Sequence, residues 1–240
     1  MIVIPMAGLS SRFHKAGYDL PKYMLRAKGK TLFEHSVSSF KVYFKTEKFL
    51  FIIRNEKANS DFVNEEAIKL GILDFEIISL DADTRGQAET VALGLQKLAY
   101  NGPITIFNID TFRPAFIFPK TQNFGAGYLE VFKGDGDNWS YVKPLADNST
   151  VVVETAEKRP LSNLCCTGLY HFKSAHDFMR AFSIYLAKPS SEWEKGELYI
   201  APLYNILIND GLEIHYHLIE RSKVTFCGIP SEYIEFLGKL

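Results

Sequence analysis

Four short apolar runs, at residues 1–6, 48–53, 75–80 and 104–109, alternate with longer stretches whose apolar residues recur at helical spacing. A run such as 104–109 is apolar almost throughout, so as a strand it has no face to give to water and must be covered on both sides. Strands of that kind joined by helices predict right-handed crossovers and parallel pairing. The expected fold is α/β: a doubly wound, mixed, mostly parallel sheet flanked by helices, Rossmann-like in arrangement. Helices are expected over residues 31–44, with Leu32, Phe33, Val37, Phe40, Val42 and Tyr43 roughly on one face, over 60–70 and over 87–99. Gly71 and the pair Asn101-Gly102 would end the last two. In such sheets ligands bind at the carboxyl ends of the strands. Two polar clusters fall there: the loop after Met6, and Asn108-Ile109-Asp110-Thr111.

The second half is richer in strands. They are expected at 127–133, 140–144, 150–154 and 166–172, then helices at 175–186 and 200–209, then strands at 214–218 and 224–228. No Pro/Gly/Ser-rich boundary, repeat or low-complexity tract divides the chain, so residues 1–240 read as one domain with halves at 1–115 and 116–240. Apolar residues make up 47% of the 240, which allows a sizeable core. A formal net charge of −1 leaves no bulk positive field for nucleic acid, though a local basic patch could hold a small anion.

Cys165 and Cys166 are adjacent and Cys227 makes the count odd, which argues against a disulfide framework; no spacing suggests zinc. The chain starts in strand-like sequence without a signal segment, and runs such as 49–53 are too short to span a membrane. A reducing cytoplasmic location and no membrane insertion are expected. His215 and His217 share a strand face in "IHYHL", which suits an edge-strand pair better than a two-His metal site.

The loop after the first strand reads Ala7-Gly8-Leu9-Ser10-Ser11-Arg12. Small residues let backbone N–H groups approach an anion, Gly8 has no Cβ in the way, and Ser10 and Ser11 add hydroxyl donors. Arg12 offers a planar fork suited to phosphate oxygens. The loop is neither G-x-G-x-x-G nor G-x-x-x-x-G-K-[ST], and on spacing alone it could be a plain tight turn. Gly17 and Pro21 keep any helix between Arg12 and Lys22 short, so a folded-back loop could bring both cations to one site; taken alone, Lys22 is equally a solvated lysine.

Here a family resemblance becomes specific. "PMAGLSSRF" followed by "LPKYML" resembles the signature loop of the sugar-phosphate nucleotidyltransferases, G-x-x-x-R followed by P-K. "TRGQAETV", "IFNIDTF", "WSYVKPL", "VVETAEKRP" and "CCTGLYHF" follow in the family's order, so the resemblance spans roughly residues 1–235. These enzymes join an NTP to a phosphorylated acceptor and release pyrophosphate. "GYDLPKY", "NIDTF" and "NWSYV" are most similar to bacterial capsule and surface-polysaccharide members, CTP:phosphoglutamine cytidylyltransferases among them.

The resemblance implies CTP, Mg²⁺ and L-glutamine phosphate, with a sugar 1-phosphate or phosphocholine as alternative acceptors and UTP or dTTP as alternative nucleotides. It implies Arg12 and Lys22 as catalytic groups, Arg12 on the leaving phosphates and Lys22 near the α-phosphate. Ala7, Gly8, Leu9, Ser10, Ser11, Gln87 and Asn108 would bind the nucleotide, Gln87 near the base. Asp110 would ligate the metal. Ser140, Tyr141, Glu157, Lys158, Gly168 and Glu197 would bind the acceptor, Lys158 on its phosphate. The residues allow plainer readings too: a turn residue for Asp110, a solvated pair for Glu157 and Lys158, a first-turn helix acid for Glu197. Homo-oligomerisation is left open.

The chemistry suits these residue types. Phosphate attacking phosphate brings anions together, so the protein must cancel charge and align groups; little proton transfer is needed. None of the six histidines sits in a triad-like context. One departure stands out. Many family members end in W-x-D-x-G-T-P, whose Asp is a second metal carboxylate. Here the stretch is "VTFCGIPSEY", with Gly228 and Pro230 in place but Phe226 where the Asp would be. Either Asp110 and phosphate oxygens suffice, or another acid such as Glu197 contributes, or the chain is weakened or inactive. Two other functions compete: a glycosyltransferase using "NID" as an acidic strand end, and a non-catalytic nucleotide-sensing module. Arg12 and Lys22 argue against the first, because a diphosphate donor releases no pyrophosphate.

Overall fold

β1 (Ile2–Pro5) is buried at all four positions, as a strand without a polar face must be. The structure, a computed structural model, describes residues 1–120 and 124–238. The chain divides into two compact units built from interleaved segments. One holds residues 2–83, 107–117 and 222–240, and the other holds Met1, 84–106 and 118–221.

The first segment carries β1, the short α1 (Ser11–Lys15), β2 (Arg26–Ala27), β3 (Lys30–Thr31), α2 (Leu32–Val37), β4 (Phe49–Arg54), α3 (Lys57–Leu70) and β5 (Phe75–Leu80). β1, β4 and β5 pair in parallel, Ile2 beside Phe49 and Phe49 beside Phe75, as the apolar runs predict. α2 begins with a capping box in which Thr31 and Glu34 satisfy each other's backbone N–H. The helix expected to run on to residue 44 leaves α-geometry after Val37 and continues as 3₁₀ turns over Ser38–Tyr43. Packing overrides periodicity here. Phe40 has non-helical φ/ψ, is fully buried, and meets Phe49, Phe107 and Phe116 edge-on. Ser39 Oγ accepts from the Arg113 N–H, competing with helix. α3 starts at Lys57, earlier than expected, and ends as expected on Gly71 in the left-handed region.

The chain then passes through α4 (Gln87–Leu98) and β6 (Ile104–Phe107), returns for β7 (Thr111–Phe112), and continues in β8 (Gly127–Lys133), β9 (Ser140–Pro144), β10 (Val152–Glu157), β11 (Leu164–Phe172), α5 (Ala175–Leu186), α6 (Leu203–Asn209) and β12 (Ile214–Ile219). In that unit the strand order is β10-β9-β11-β6, while β8 pairs with β11 antiparallel and with β12 in parallel. β10 runs on to Glu157, past the expected end at 154. α6 starts at Leu203, not at 200.

The last segment holds β13 (Thr225–Phe226), shorter than the strand expected over 224–228, and α7 (Pro230–Gly238), which the periodicity had not suggested. α7 buries Tyr233 and Phe236 in a cluster with Phe13, Leu25, Leu32, Phe112 and Cys227. That cluster fastens the loop after β1, because Phe13 and Tyr18 both pack edge-on against Tyr233. The fold is thus a mostly parallel sheet flanked by helices, with an antiparallel part in the second unit. No helix among the described residues is long and apolar enough to cross a membrane.

Candidate functional site

The loop after β1 is held at both ends. Met6 N–H donates to Ile52 O at 2.8 Å, and Phe13 is buried by the cluster just described. Between them Gly8, Leu9, Ser11 and Arg12 are exposed while Ala7 is buried. A Cβ on Gly8 would meet no described protein atom, so internal packing does not demand glycine there. Ser10 sits at φ 50°, a left-handed conformation that costs a non-glycine residue about 1 kcal/mol. Its hydroxyl accepts the Lys22 backbone N–H at 3.2 Å. The stretch between Arg12 and Lys22 therefore folds back, and α1 is only five residues long.

The fold-back aims Lys22. Pro21 leads into a 3₁₀ turn over Lys22–Met24, and the ammonium reaches Asp110 Oδ2 at 2.5 Å. The two side chains are 24% and 21% exposed, so salt screens this pair less than an open surface pair. Asp110 lies in the turn between β6 and β7, where Thr111 N–H bonds Asn108 O at 3.2 Å. Asn108 O also accepts from Ser36 Oγ at 3.3 Å. The Asp110 carbonyl takes the Cys227 N–H at 2.8 Å, which locks the turn to the β13–α7 connection. Phe226 pairs with Thr111 across β13 and β7.

Gly228 matters through what it lacks. A Cβ there would come within 2.9 Å of Asp110 Oδ2 and 3.4 Å of its Cγ. Glycine thus keeps one side of the carboxylate open. Glu232 Oε2 lies 3.7 Å from the same point and accepts the N–H groups of Gly228 and Ile229 at 2.8 and 3.2 Å. Among the described residues no group of three or more His, Cys, Asp or Glu could hold a metal by itself. A single carboxylate with an open side fits a hard cation that brings phosphate and water oxygens with it.

The remaining candidates lie in the other unit. Gln87 opens α4, and its loop is stitched to Leu198 by Ala88 N–H to Leu198 O at 2.8 Å and Leu198 N–H to Arg85 O at 2.9 Å. Gly86 is required there: its φ is 151° and a Cβ would stand 2.5 Å from Leu198 O. Glu157 ends β10 directly across from Ser140, and the Ser140 hydroxyl donates to Glu157 Oε2. Tyr170 OH is 3.2 Å from the same hydroxyl. Burial pushes the Glu157 carboxyl above the usual carboxylate range; Ser140 and Lys158 pull it down, while Glu194 and Glu197 push it up. Lys158, in the left-handed region at φ 51°, donates to Tyr199 OH at 2.7 Å.

Ser140, Glu157 and Lys158 are therefore brought together, with Glu197 exposed nearby. Glu197 precedes α6 by six residues, so it is no first-turn acid. Tyr141 is not in the cluster: it is a core residue whose hydroxyl donates to Gly136 O. Gly168 sits at φ 92° where β11 slips register between Cys166 and Tyr170, a bulge that asks for glycine. The residues had not singled out Glu194, Tyr170, Tyr199 or Glu232. Glu194 Oε2 accepts the Glu157 N–H, and burial likewise raises its carboxyl.

No protein-family profile and no curated protein matches the chain. Solved structures do. A nucleoside-diphosphate-sugar pyrophosphorylase from Vibrio cholerae RC9 is 61% identical, with 99% of each chain covered and a TM-score of 0.95. The inositol-1-phosphate CTP transferase from T. maritima is 16% identical over 99% of this chain and 94% of its own, with a TM-score of 0.77. A UDP-glucose pyrophosphorylase complexed with UDP-glucose is 17% identical over 98% and 96%, with a TM-score of 0.78. The last two share the fold. Identity in three positions of five along the full length of both chains goes well beyond a shared fold, and it places this chain among the nucleoside-diphosphate-sugar pyrophosphorylases, a family of nucleotidyltransferases.

Proposed function

We propose that the protein transfers the nucleotidyl group of an NTP to the phosphate of a small acceptor. An acceptor phosphate oxygen attacks the α-phosphorus, the bond from that phosphorus to the β-bridging oxygen breaks, and pyrophosphate leaves. The observation that carries this reading is Lys22 Nζ at 2.5 Å from Asp110 Oδ2, beside a loop that Ser10 folds back on Lys22. It sets a movable cation and a carboxylate next to exposed backbone where a triphosphate could lie.

Within this reading, the Ala7, Gly8 and Leu9 backbone with Ser10 and Ser11 would take phosphate oxygens, and Arg12 the leaving β and γ groups. Lys22 would neutralise charge building on the α-phosphate, and Asn108 would line the site. Gln87 would hydrogen-bond the base through its amide. Mg²⁺, with Asp110 and phosphate oxygens as ligands, would supply charge neutralisation on the triphosphate. Lys158 would take the acceptor phosphate. Ser140, Glu157, Glu194 and Glu197 form a wall rich in acceptors, which suits an acceptor with hydroxyl, amide or ammonium donors. Tyr141 and Gly168 would act by shaping that wall. The buried free thiols of Cys165, Cys166 and Cys227 agree with a reducing cytoplasm.

The sequence similarity to capsule members favours CTP and L-glutamine phosphate, in capsule or surface-polysaccharide synthesis. The 61% identical relative, named for nucleoside diphosphate sugars, favours a sugar 1-phosphate with equal weight. The test is a matrix of CTP, UTP, dTTP and ATP against L-glutamine phosphate, several sugar 1-phosphates and phosphocholine, read by pyrophosphate release. One productive pair is expected to dominate. Release in no pair, with nucleotide binding intact, would leave a sensing module as the better account.

A further inference from the structure

We propose that Lys22 is the resident counter-ion of the divalent-cation site: it occupies Asp110 in the ligand-free protein, opposes the metal, and yields only when a nucleotide draws it away. This rests on the nucleotidyl-transfer reading and adds an order of events to it.

The geometry argues for exchange between cations on one oxygen. A hard divalent cation would need the Asp110 carboxylate, whose oxygen facing Gly228 is Oδ2, as its protein ligand. The Lys22 ammonium already stands 2.5 Å from that atom. Held on one carboxylate, the two cations would repel at close range where water is partly excluded, so each weakens the other's hold. Glu232, the nearby acid, is engaged by the backbone N–H groups of Gly228 and Ile229. Exchange needs little movement. The Lys22 backbone stays pinned by Ser10 Oγ, the Asp110 backbone by Cys227 N–H, and Gly228 keeps a side of the carboxylate open. Only the four-carbon stem of Lys22 has to swing, and a triphosphate offers it more negative charge than one carboxylate does.

Two causes that would each weaken metal binding to the empty protein can then be told apart. If the absent acid at Phe226 were the whole cause, removing the Lys22 charge would leave metal binding weak. If Lys22 holds the site, removing it should strengthen metal binding, although the same substitution impairs catalysis. Metal and nucleotide should also help each other in wild type, each tightening the other by the same factor, and that coupling should shrink without Lys22.

The experiment titrates Mn²⁺ into nucleotide-free protein and follows the free-ion signal by electron paramagnetic resonance. Wild type is compared with Lys22→Met, with the double variant Lys22→Met/Asp110→Asn, and with Arg12→Met as a control for net charge; folding is checked by circular dichroism and Tm. Lys22→Met should bind Mn²⁺ about tenfold more tightly than wild type, the double variant should lose the gain, and Arg12→Met should stay within about twofold of wild type. Binding by Lys22→Met no tighter than wild type would overturn the proposal, as would an equal gain from Arg12→Met. In a second arm, dialysis with labelled CTP and UTP, each with and without Mn²⁺, tests the underlying reading. Mn²⁺-dependent nucleotide binding in wild type with no apo gain in Lys22→Met would sink the counter-ion and spare the reading; no nucleotide binding at all would sink both.

Discussion

Replacing Gly228 by alanine tests the carboxylate without touching it. The added methyl carbon would stand 2.9 Å from Asp110 Oδ2, where ordinary contact begins near 3.4 Å. Asp110 must therefore retreat by about 0.5 Å, since its short side chain is the softest neighbour. Gly228 is not in the left-handed region, so alanine adds no backbone strain. Misplacing a reacting group by about 1 Å can cost about 10²-fold, so half that shift predicts a loss of about tenfold in kcat/KM, near 1.4 kcal/mol of transition-state stabilisation. Stability should hardly move, because fewer unfolded conformations offset the crowding by about 0.4–1 kcal/mol. The assay is pyrophosphate release over a range of Mg²⁺ concentrations, with thermal unfolding alongside. A loss confined to activity, with a higher Mg²⁺ requirement, is expected. Activity within twofold of wild type at every Mg²⁺ concentration would refute the placement of Asp110, and a matching collapse in Tm would make Gly228 a folding residue.

Lys22→Ala should lower kcat by roughly 10²–10³ while leaving the circular dichroism spectrum unchanged; a variant keeping half of wild-type kcat would return Lys22 to the solvated surface. Gly86→Ala should destabilise by about 1–3 kcal/mol and lower Tm by several degrees, because the methyl meets the Leu198 backbone at 2.5 Å and φ is 151°. An unchanged Tm would mean that the Arg85–Leu198 stitch is slack. Burial and the nearby N-terminal charge depress the His171 ring from 6.5 to about 4. Its stabilising effect is therefore complete above pH 6.5 and is lost as the pH falls toward 4, by at most about 3 kcal/mol since the ring keeps some exposure. Denaturant midpoints from pH 7 to 4 should show that slope in wild type and a flatter one in His171→Asn; equal slopes would move the acid sensitivity to other groups.

Strands with no polar face were legible without coordinates. β1, β4 and β6 stand within two residues of the apolar runs, because a buried strand leaves few other places for such residues, and the half-buried β5 coincides with its run as well. Short elements set by tertiary contacts were not. The break after Val37 follows from Phe40 seeking Phe49, Phe107 and Phe116, which no local period encodes. α7 did leave a trace: Pro230 at its first position and Glu232 in its first turn are start signals that a single turn of apolar spacing hid. Glu232 is not legible from sequence spacing, because it is the turn at Gly228 that brings it toward Asp110. Glu194, rather than the expected Glu197, meets the Glu157 backbone. Left-handed Lys195 and Gly196 reverse the chain between them, leaving Glu197 exposed and Glu194 against the Glu157 backbone.

The most direct measurement of nucleotidyl transfer follows two labels through one turnover. The nucleotide that is productive in the substrate matrix is supplied with ³²P at the α- or the γ-phosphate, together with its acceptor and Mg²⁺, and products are separated by ion exchange. Transfer predicts that the α label moves into the acceptor-linked nucleotide and the γ label into pyrophosphate, in equal amounts and only when the acceptor is present. The γ label appearing in orthophosphate or on the acceptor, or the α label remaining in free nucleotide, would contradict it.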